Sequence, residues 1–196
     1  MSFGFAPDSS GSVSGQLRAI EPAEWNSAGI PLLRDPREVV KDLHARHLPS
    51  PSTAVVAVYD ATGRLVASAS FAERFGGTDG WEHRNMLLAH LRRVVPHDLR
   101  RPHPVRTAVL LVCREGESSW TEADGAWMWG LRDACSLHGL RCGAYITLTP
   151  GGWQVLGEGR SGRNPNSDTW AELTGRSLEI GPAEGAPQAV RRAVAR

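Results

Sequence analysis

The alternation of apolar and polar positions along the chain predicts a β-hairpin followed by a helix. Residues 54–59 and 64–71 are rich in β-forming residues, and the turn between them ends at Gly63. From residue 81 to residue 95, apolar side chains recur every three or four positions, which is the spacing of one helical face. Pro96 then ends this helix. Residues 54–95 are therefore predicted to form a strand–turn–strand–helix unit.

The same pattern predicts a strand, a second helix and another strand farther along the chain. Residues 107–113 form a near-continuous apolar run, which suits a strand in the buried centre of a sheet. Thr121 is the predicted N-cap of the next helix, and Gly139 is its predicted C-cap. A strand is predicted at 141–148, and a turn leads from it into a further short strand at 153–156.

One more helix precedes the hairpin, with Asp35 as its predicted N-cap and Pro49 as the residue that ends it. Together these elements predict a single α/β (α+β) domain, in which the hairpin lies at one side of a mixed sheet and the helices pack on that sheet. We place this domain at residues 17–180. Residues 1–16 are rich in serine and glycine and are expected to be a disordered tail, and residues 181–196 are expected to be a flexible C-terminal tail.

Composition narrows the class of protein. No run approaches the roughly 18–20 apolar residues that a membrane helix needs, so we expect no membrane association. The N-terminus lacks the basic and apolar segments of a secretory signal, and the three cysteines form no dense framework, so we expect reduced thiols and a cytoplasmic protein. The net charge of +1 provides no global attraction to nucleic acid. A single lysine against 21 arginines is typical of a GC-rich bacterial genome.

The order hairpin–helix–strand–helix–strand resembles the JAB/MPN metalloprotease-like domain, in the form found in bacterial RadC DNA-repair-associated proteins. Residues 58–65 are similar to the family's aspartate and turn before Gly-Arg, and residues 108–112 are similar to its apolar strand. Residues 121–124, Thr-Glu-Ala-Asp, are similar to the Ser-x-x-Asp that opens its next helix. The resemblance covers about half of the chain, and it implies the family's fold.

The positions that would bind metal depart from this family, whose zinc is held by two histidines and an aspartate. Cys113 and Glu115 stand at the histidine positions, and only Asp124 matches. We expect a buried Cys113, a solvated Glu115 and an Asp124 that complements a helix N-terminus, hence no metal and no cofactor. The alternative is an atypical hydrolase that uses these residues as a non-standard metal site or Cys113 as a nucleophile, with His83 or His138 as base.

The same order of elements is also similar to the cytidine-deaminase-like fold. In that fold, the helix after the hairpin opens with His-x-Glu, and Pro-Cys-x-x-Cys follows the next strand. Here Asn85 stands two residues after His83, where the proton-shuttling carboxylate belongs, and the chain has no Cys-x-x-Cys. This resemblance implies a fold but not deamination. The chain also lacks a dinucleotide fingerprint and a phosphate-binding glycine loop.

Two features predict binding surfaces. Clustered arginines at residues 90–106 are able to grip phosphates, so nucleic acid is one candidate partner, while a solvated loop is the alternative. Trp129 points away from the inward-facing Trp127 by helical spacing. It is either an exposed aromatic of a protein interface or is covered by flanking loops. The candidate binding residues are Arg92, Arg93, Arg100, Arg101 and Trp129.

The leading hypothesis is therefore a non-catalytic, RadC-like bacterial protein that acts by binding a protein partner or by forming a homodimer, in regulation or in DNA-associated processes. The balance of these observations leans against an enzyme. The atypical hydrolase and a nucleic-acid-binding module that uses the arginine cluster stay open as alternatives.

Overall fold

The structure, a computed structural model, describes residues 18–27, 35–72, 79–99 and 103–169. Within these residues the chain forms four helices and six strands. The helices are α1 (Pro22–Ser27), α2 (Pro36–His47), α3 (Gly80–Val94) and α4 (Glu122–His138). The strands are β1 (Thr53–Tyr59), β2 (Leu65–Ala72), β3 (Thr107–Cys113), β4 (Arg141–Thr149), β5 (Gly152–Val155) and β6 (Ser161–Gly162).

The six strands form one mixed sheet in the order β2-β1-β3-β4-β5-β6. Strand β1 is antiparallel to both β2 and β3, and β3 is parallel to β4. The last two strands continue the sheet in antiparallel fashion. The predicted α/β class is confirmed, with the β1–β2 hairpin at one side of the sheet.

Both faces of the sheet centre are covered, which explains why β1 and β3 are apolar at every position after their first threonine rather than at every second position. Val56 and Leu110 point to the face that α3 and α4 cover. Their neighbours Val55 and Leu111 point to the opposite face, where Val40 and Leu43 of α2 pack on them. The domain thus has helices on both sides of one sheet.

The predicted helix ends are confirmed by their capping bonds. The Asp35 side chain accepts from the backbone N–H groups of Arg37 and Glu38 at the start of α2. Thr121 caps α4, which ends at Gly139 with a φ of 75°. Two elements were not predicted from sequence: α1 has six residues and β6 has two, and neither is long enough to show a period.

The predicted tails at residues 1–16 and 181–196 lie outside the described residues. Among the helices that the structure describes, none is both long and apolar enough to cross a bilayer.

Helices α3 and α4 run side by side. Gly80 lies close to Ala126 and, one turn later, Arg84 lies close to Gly130, so the two helices run in the same direction. Gly130 is a point of close approach between the two helices. A Cβ atom there would lie 2.8 Å from the Arg84 backbone nitrogen and 2.9 Å from the His83 Cβ. The absence of a side chain at residue 130 is what allows the two helices to touch.

We predict that Gly130→Ala lowers the free energy of unfolding by about 1–3 kcal/mol, because backbone atoms must move apart. In an unpacked helix the same change would stabilise by up to about 1 kcal/mol. Ser136→Ala, on the exposed face of α4, is the control, and its effect should stay within about 0.5 kcal/mol. Chemical denaturation measures both variants. A Gly130→Ala protein as stable as the wild type would contradict the close approach.

Candidate functional site

The junction between β3 and α4 is organised around the side chain of Arg114. Its backbone N–H donates to the Leu148 carbonyl at 2.9 Å and so extends the ladder between β3 and β4. Its guanidinium donates to the Glu117 carbonyl at 2.6 Å and to the Ser119 carbonyl at 2.7 Å. The loop between the strand and the helix is therefore wrapped around one cationic group.

Asp124 is the anion that pairs with this cation, and only 1% of the residue is exposed. Its carboxylate accepts from Nη2 of Arg114 at 2.9 Å and from Nε at 3.3 Å. It also accepts from the Thr121 backbone N–H at 2.8 Å, from the Thr121 hydroxyl at 2.7 Å and from the Tyr145 hydroxyl at 2.8 Å. These five bonds leave little acceptor capacity for a metal ion or a substrate.

Cys113 points to the other face of the sheet, as expected for the residue just before Arg114 on a pleated strand. It is fully buried in the cluster beneath α2, and its thiol donates to the Pro49 carbonyl at 3.6 Å. Burial raises the pKa of this thiol to about 12, with a further contribution from the charge of Glu115. The side chain is therefore a neutral thiol at physiological pH and a poor nucleophile.

The three candidate catalytic residues are thus not brought together. Cys113 lies under α2, Asp124 lies in the first turn of α4 on the opposite face of the sheet, and Glu115 is exposed in the loop between them. Among the described residues, no group of three His, Cys, Asp or Glu side chains is placed to hold a metal ion.

Neither candidate base reaches Cys113. His83 stacks on Trp127, with ring centroids 3.8 Å apart, between α3 and α4 and so on the opposite face of the sheet. His138 lies at the far end of α4, about 25 Å along the helix from Thr121, and its Nε2 is 3.0 Å from the Val95 carbonyl. Both histidines are packing residues of the helical layer.

The arginine cluster is only partly described. Arg92 and Arg93 are exposed in the last turn of α3, where positive charge also complements the helix dipole. Arg106 forms an ion pair with Asp98 at 3.7 Å and donates to the Pro96 carbonyl. Arg100 and Arg101 lie outside the described residues. In the described part of the cluster, Arg106 therefore binds within its own loop, while Arg92 and Arg93 lie at the end of a helix.

Trp129 is half-buried, and its neighbour Trp81 is the more exposed ring, at 37%. The two ring centroids are 5.9 Å apart. The Arg18 guanidinium lies 4.2 Å from the Trp81 ring centroid and 5.2 Å from that of Trp129, and the Arg84 guanidinium lies 3.6 Å from Trp81. We call Arg18, Trp81, Arg84 and Trp129 the Arg/Trp surface.

The sequence alone did not reveal three members of this surface. Arg18 precedes α1 and is 63 residues from Trp81, so no local spacing connects them. Trp81 carried a signal, because a tryptophan in the first turn of a helix lies beside the helix end rather than on a buried stripe. Arg84 is fixed by an ion pair with Asp133 of α4 at 3.1 Å.

We predict that Cys113 resists alkylation in the folded protein at neutral pH, because its thiol is buried and has almost no thiolate form. Cys135 is also buried, whereas Cys142 is partly exposed and should react first. Mass spectrometry after timed labelling measures each site, and labelling in denaturant shows that all three can react. Modification of Cys113 as fast as Cys142 would contradict this and would support the hydrolase alternative.

Comparisons with known proteins give no family for this chain. No family model matches it, and neither a curated protein nor a solved structure matches it at a significant level.

Proposed function

We propose that this chain acts by binding a protein partner through the Arg/Trp surface rather than by catalysing a reaction. The observation that carries the proposal is Trp81, an exposed indole in contact with two guanidinium groups. Tryptophan and arginine are among the residues most enriched at the energetic centres of protein interfaces.

The fixed geometry of the surface supports this role. Arg84 is held by Asp133, and Gly80 packs against the Trp129 ring, where a Cβ would come within 2.8 Å. The side chains of the Arg/Trp surface would therefore lose little conformational entropy when a partner binds. The surface offers an apolar ring and guanidinium donors, so we expect the partner segment to combine an apolar side chain with a carboxylate.

The state of the candidate catalytic residues also supports a non-catalytic role. The carboxylate that the metalloprotease resemblance assigns to zinc is instead saturated by Arg114, Thr121 and Tyr145. A residue that is committed to a buried ion pair cannot also polarise a metal-bound water without breaking that pair.

The relation to RadC-like JAB domains is part of this proposal. It is supported by the order of the elements and by Thr121 and Asp124 at the start of α4. Such a relation implies a bacterial, cytoplasmic protein with a role in regulation or in DNA-associated processes. The exposed Arg92 and Arg93 are compatible with the DNA-associated role but are too few to carry it.

Affinity capture followed by calorimetry with the captured partner tests the proposal. Trp81→Ala should weaken binding about 30-fold or more, as expected for the centre of an interface. Leu137→Ala removes a still more exposed apolar side chain near the far end of α4 and should leave the affinity unchanged. The proposal fails if no partner binds or if the two variants bind alike.

A further inference from the structure

Two of the three cysteines lie together where α4 ends and β4 begins. Cys135 is in the last turn of α4 and is buried in the apolar cluster between the helices and the sheet. Cys142 is the second residue of β4, is partly exposed, and packs against the same cluster. The thiol of Cys135 donates a hydrogen bond to the sulfur of Cys142. The two sulfur atoms are therefore in contact, on the face of the sheet opposite to Cys113.

A β-bulge directs the Cys142 side chain toward α4. From Ala108 to Leu110 the strand β3 advances by two residues, while β4 advances by three, from Cys142 to Tyr145. Without the extra residue, side chains three positions apart would point to opposite faces of the sheet. With it, Cys142 and Tyr145 both pack in the cluster beneath α3 and α4. Gly143 allows the bulge, because a Cβ atom there would lie 2.6 Å from the Ala108 carbonyl oxygen.

The turn between α4 and β4 keeps the two cysteines close. Gly139 ends the helix in the left-handed conformation, and the Leu140 backbone N–H donates to the Cys135 carbonyl at 2.9 Å. The Arg141 backbone N–H donates to the Arg106 carbonyl at 2.8 Å and so fixes the start of β4 beside the entry to β3. Contact between the two thiols is therefore a property of the folded backbone.

We propose that Cys135 and Cys142 form a disulfide when the protein meets a hydroperoxide, so that the pair is an oxidation site. Cys142 reacts first, because it is the partly exposed thiol: its sulfur takes one oxygen atom from hydrogen peroxide and becomes a sulfenic acid, and one water is released. The sulfur of Cys135 then attacks that of Cys142 and the S–O bond breaks. The hydroxyl group leaves with the Cys135 proton as a second water.

The contact between the sulfur atoms decides which product forms. The hydrogen bond to Cys142 and burial both raise the pKa of the Cys135 thiol, so Cys135 is not the thiol that peroxide oxidises first. Its attack on the sulfenic acid is intramolecular, and this proximity offsets its small thiolate fraction. The disulfide also protects Cys142 from irreversible oxidation to sulfinic acid. The pair includes no residue of the Arg/Trp surface, so either proposal can fail without the other.

Peptide mapping of the folded, full-length protein after treatment with hydrogen peroxide at neutral pH tests the proposal. Trypsin cleaves between the two cysteines at Arg141 and yields peptides 133–141 and 142–160. We expect these peptides to be linked, with a mass two hydrogen atoms below their sum, and a dithiol to separate them. Cys113 should stay free for alkylation in denaturant. Cys113→Ser is the control variant and should form the same link at the same rate.

Two further variants separate the steps. Cys142→Ser should abolish the linked pair and leave Cys135 reduced. Cys135→Ala should let the sulfenic acid of Cys142 accumulate, so that dimedone traps it, whereas the wild type should trap little. Circular dichroism shows whether each variant is folded, and the wild-type peptide map does not depend on them.

Three results in the wild type would overturn the proposal. The first is oxidation of Cys142 without a link to Cys135, and the second is a link that involves Cys113 as readily as Cys135. The third is an excess of peroxide that leaves all three thiols reduced.

Discussion

The carboxylate of Asp124 is buried next to a charged arginine, and burial of a charge costs several kcal/mol unless it is paired and hydrogen-bonded. Here the pairing is complete, because Arg114, Thr121 and Tyr145 supply five donors. These residues come from the end of β3, the start of α4 and the middle of β4. One group of bonds therefore connects the loop, the N-terminus of α4 and the parallel strand pair, and α4 in turn carries Trp129 of the Arg/Trp surface.

This ion pair occupies the corner of the sheet where the metalloprotease resemblance would place chemistry. The remaining candidates lie apart from it: the Cys113 thiol is beneath α2, and Glu115 is in solvent. The proposed binding function uses instead the surface beside the start of α3, where the Trp81 ring is exposed.

The sequence predicted the elements well because they depend on local signals. The apolar runs of β1 and β3, the Asp35 cap and Gly139 each act over a few residues. The site was harder to predict because its bonds are long-range: Asp124 is 10 residues from Arg114 and 21 residues from Tyr145. Spacing predicted that Trp127 faces the core. Whether Trp129 is exposed depended on Arg18 and Trp81, which no local pattern connects to it.

A double-mutant cycle between Arg114 and Asp124 tests the central claim most directly. The variants Arg114→Met and Asp124→Asn should each lower the free energy of unfolding by about 3–5 kcal/mol, because each leaves a largely buried charge without its counter-ion. The double variant should cost less than the sum of the two, with a coupling of at least about 1 kcal/mol. The account is contradicted if each single variant lowers the free energy of unfolding by less than about 1 kcal/mol and the two effects are additive in the double variant.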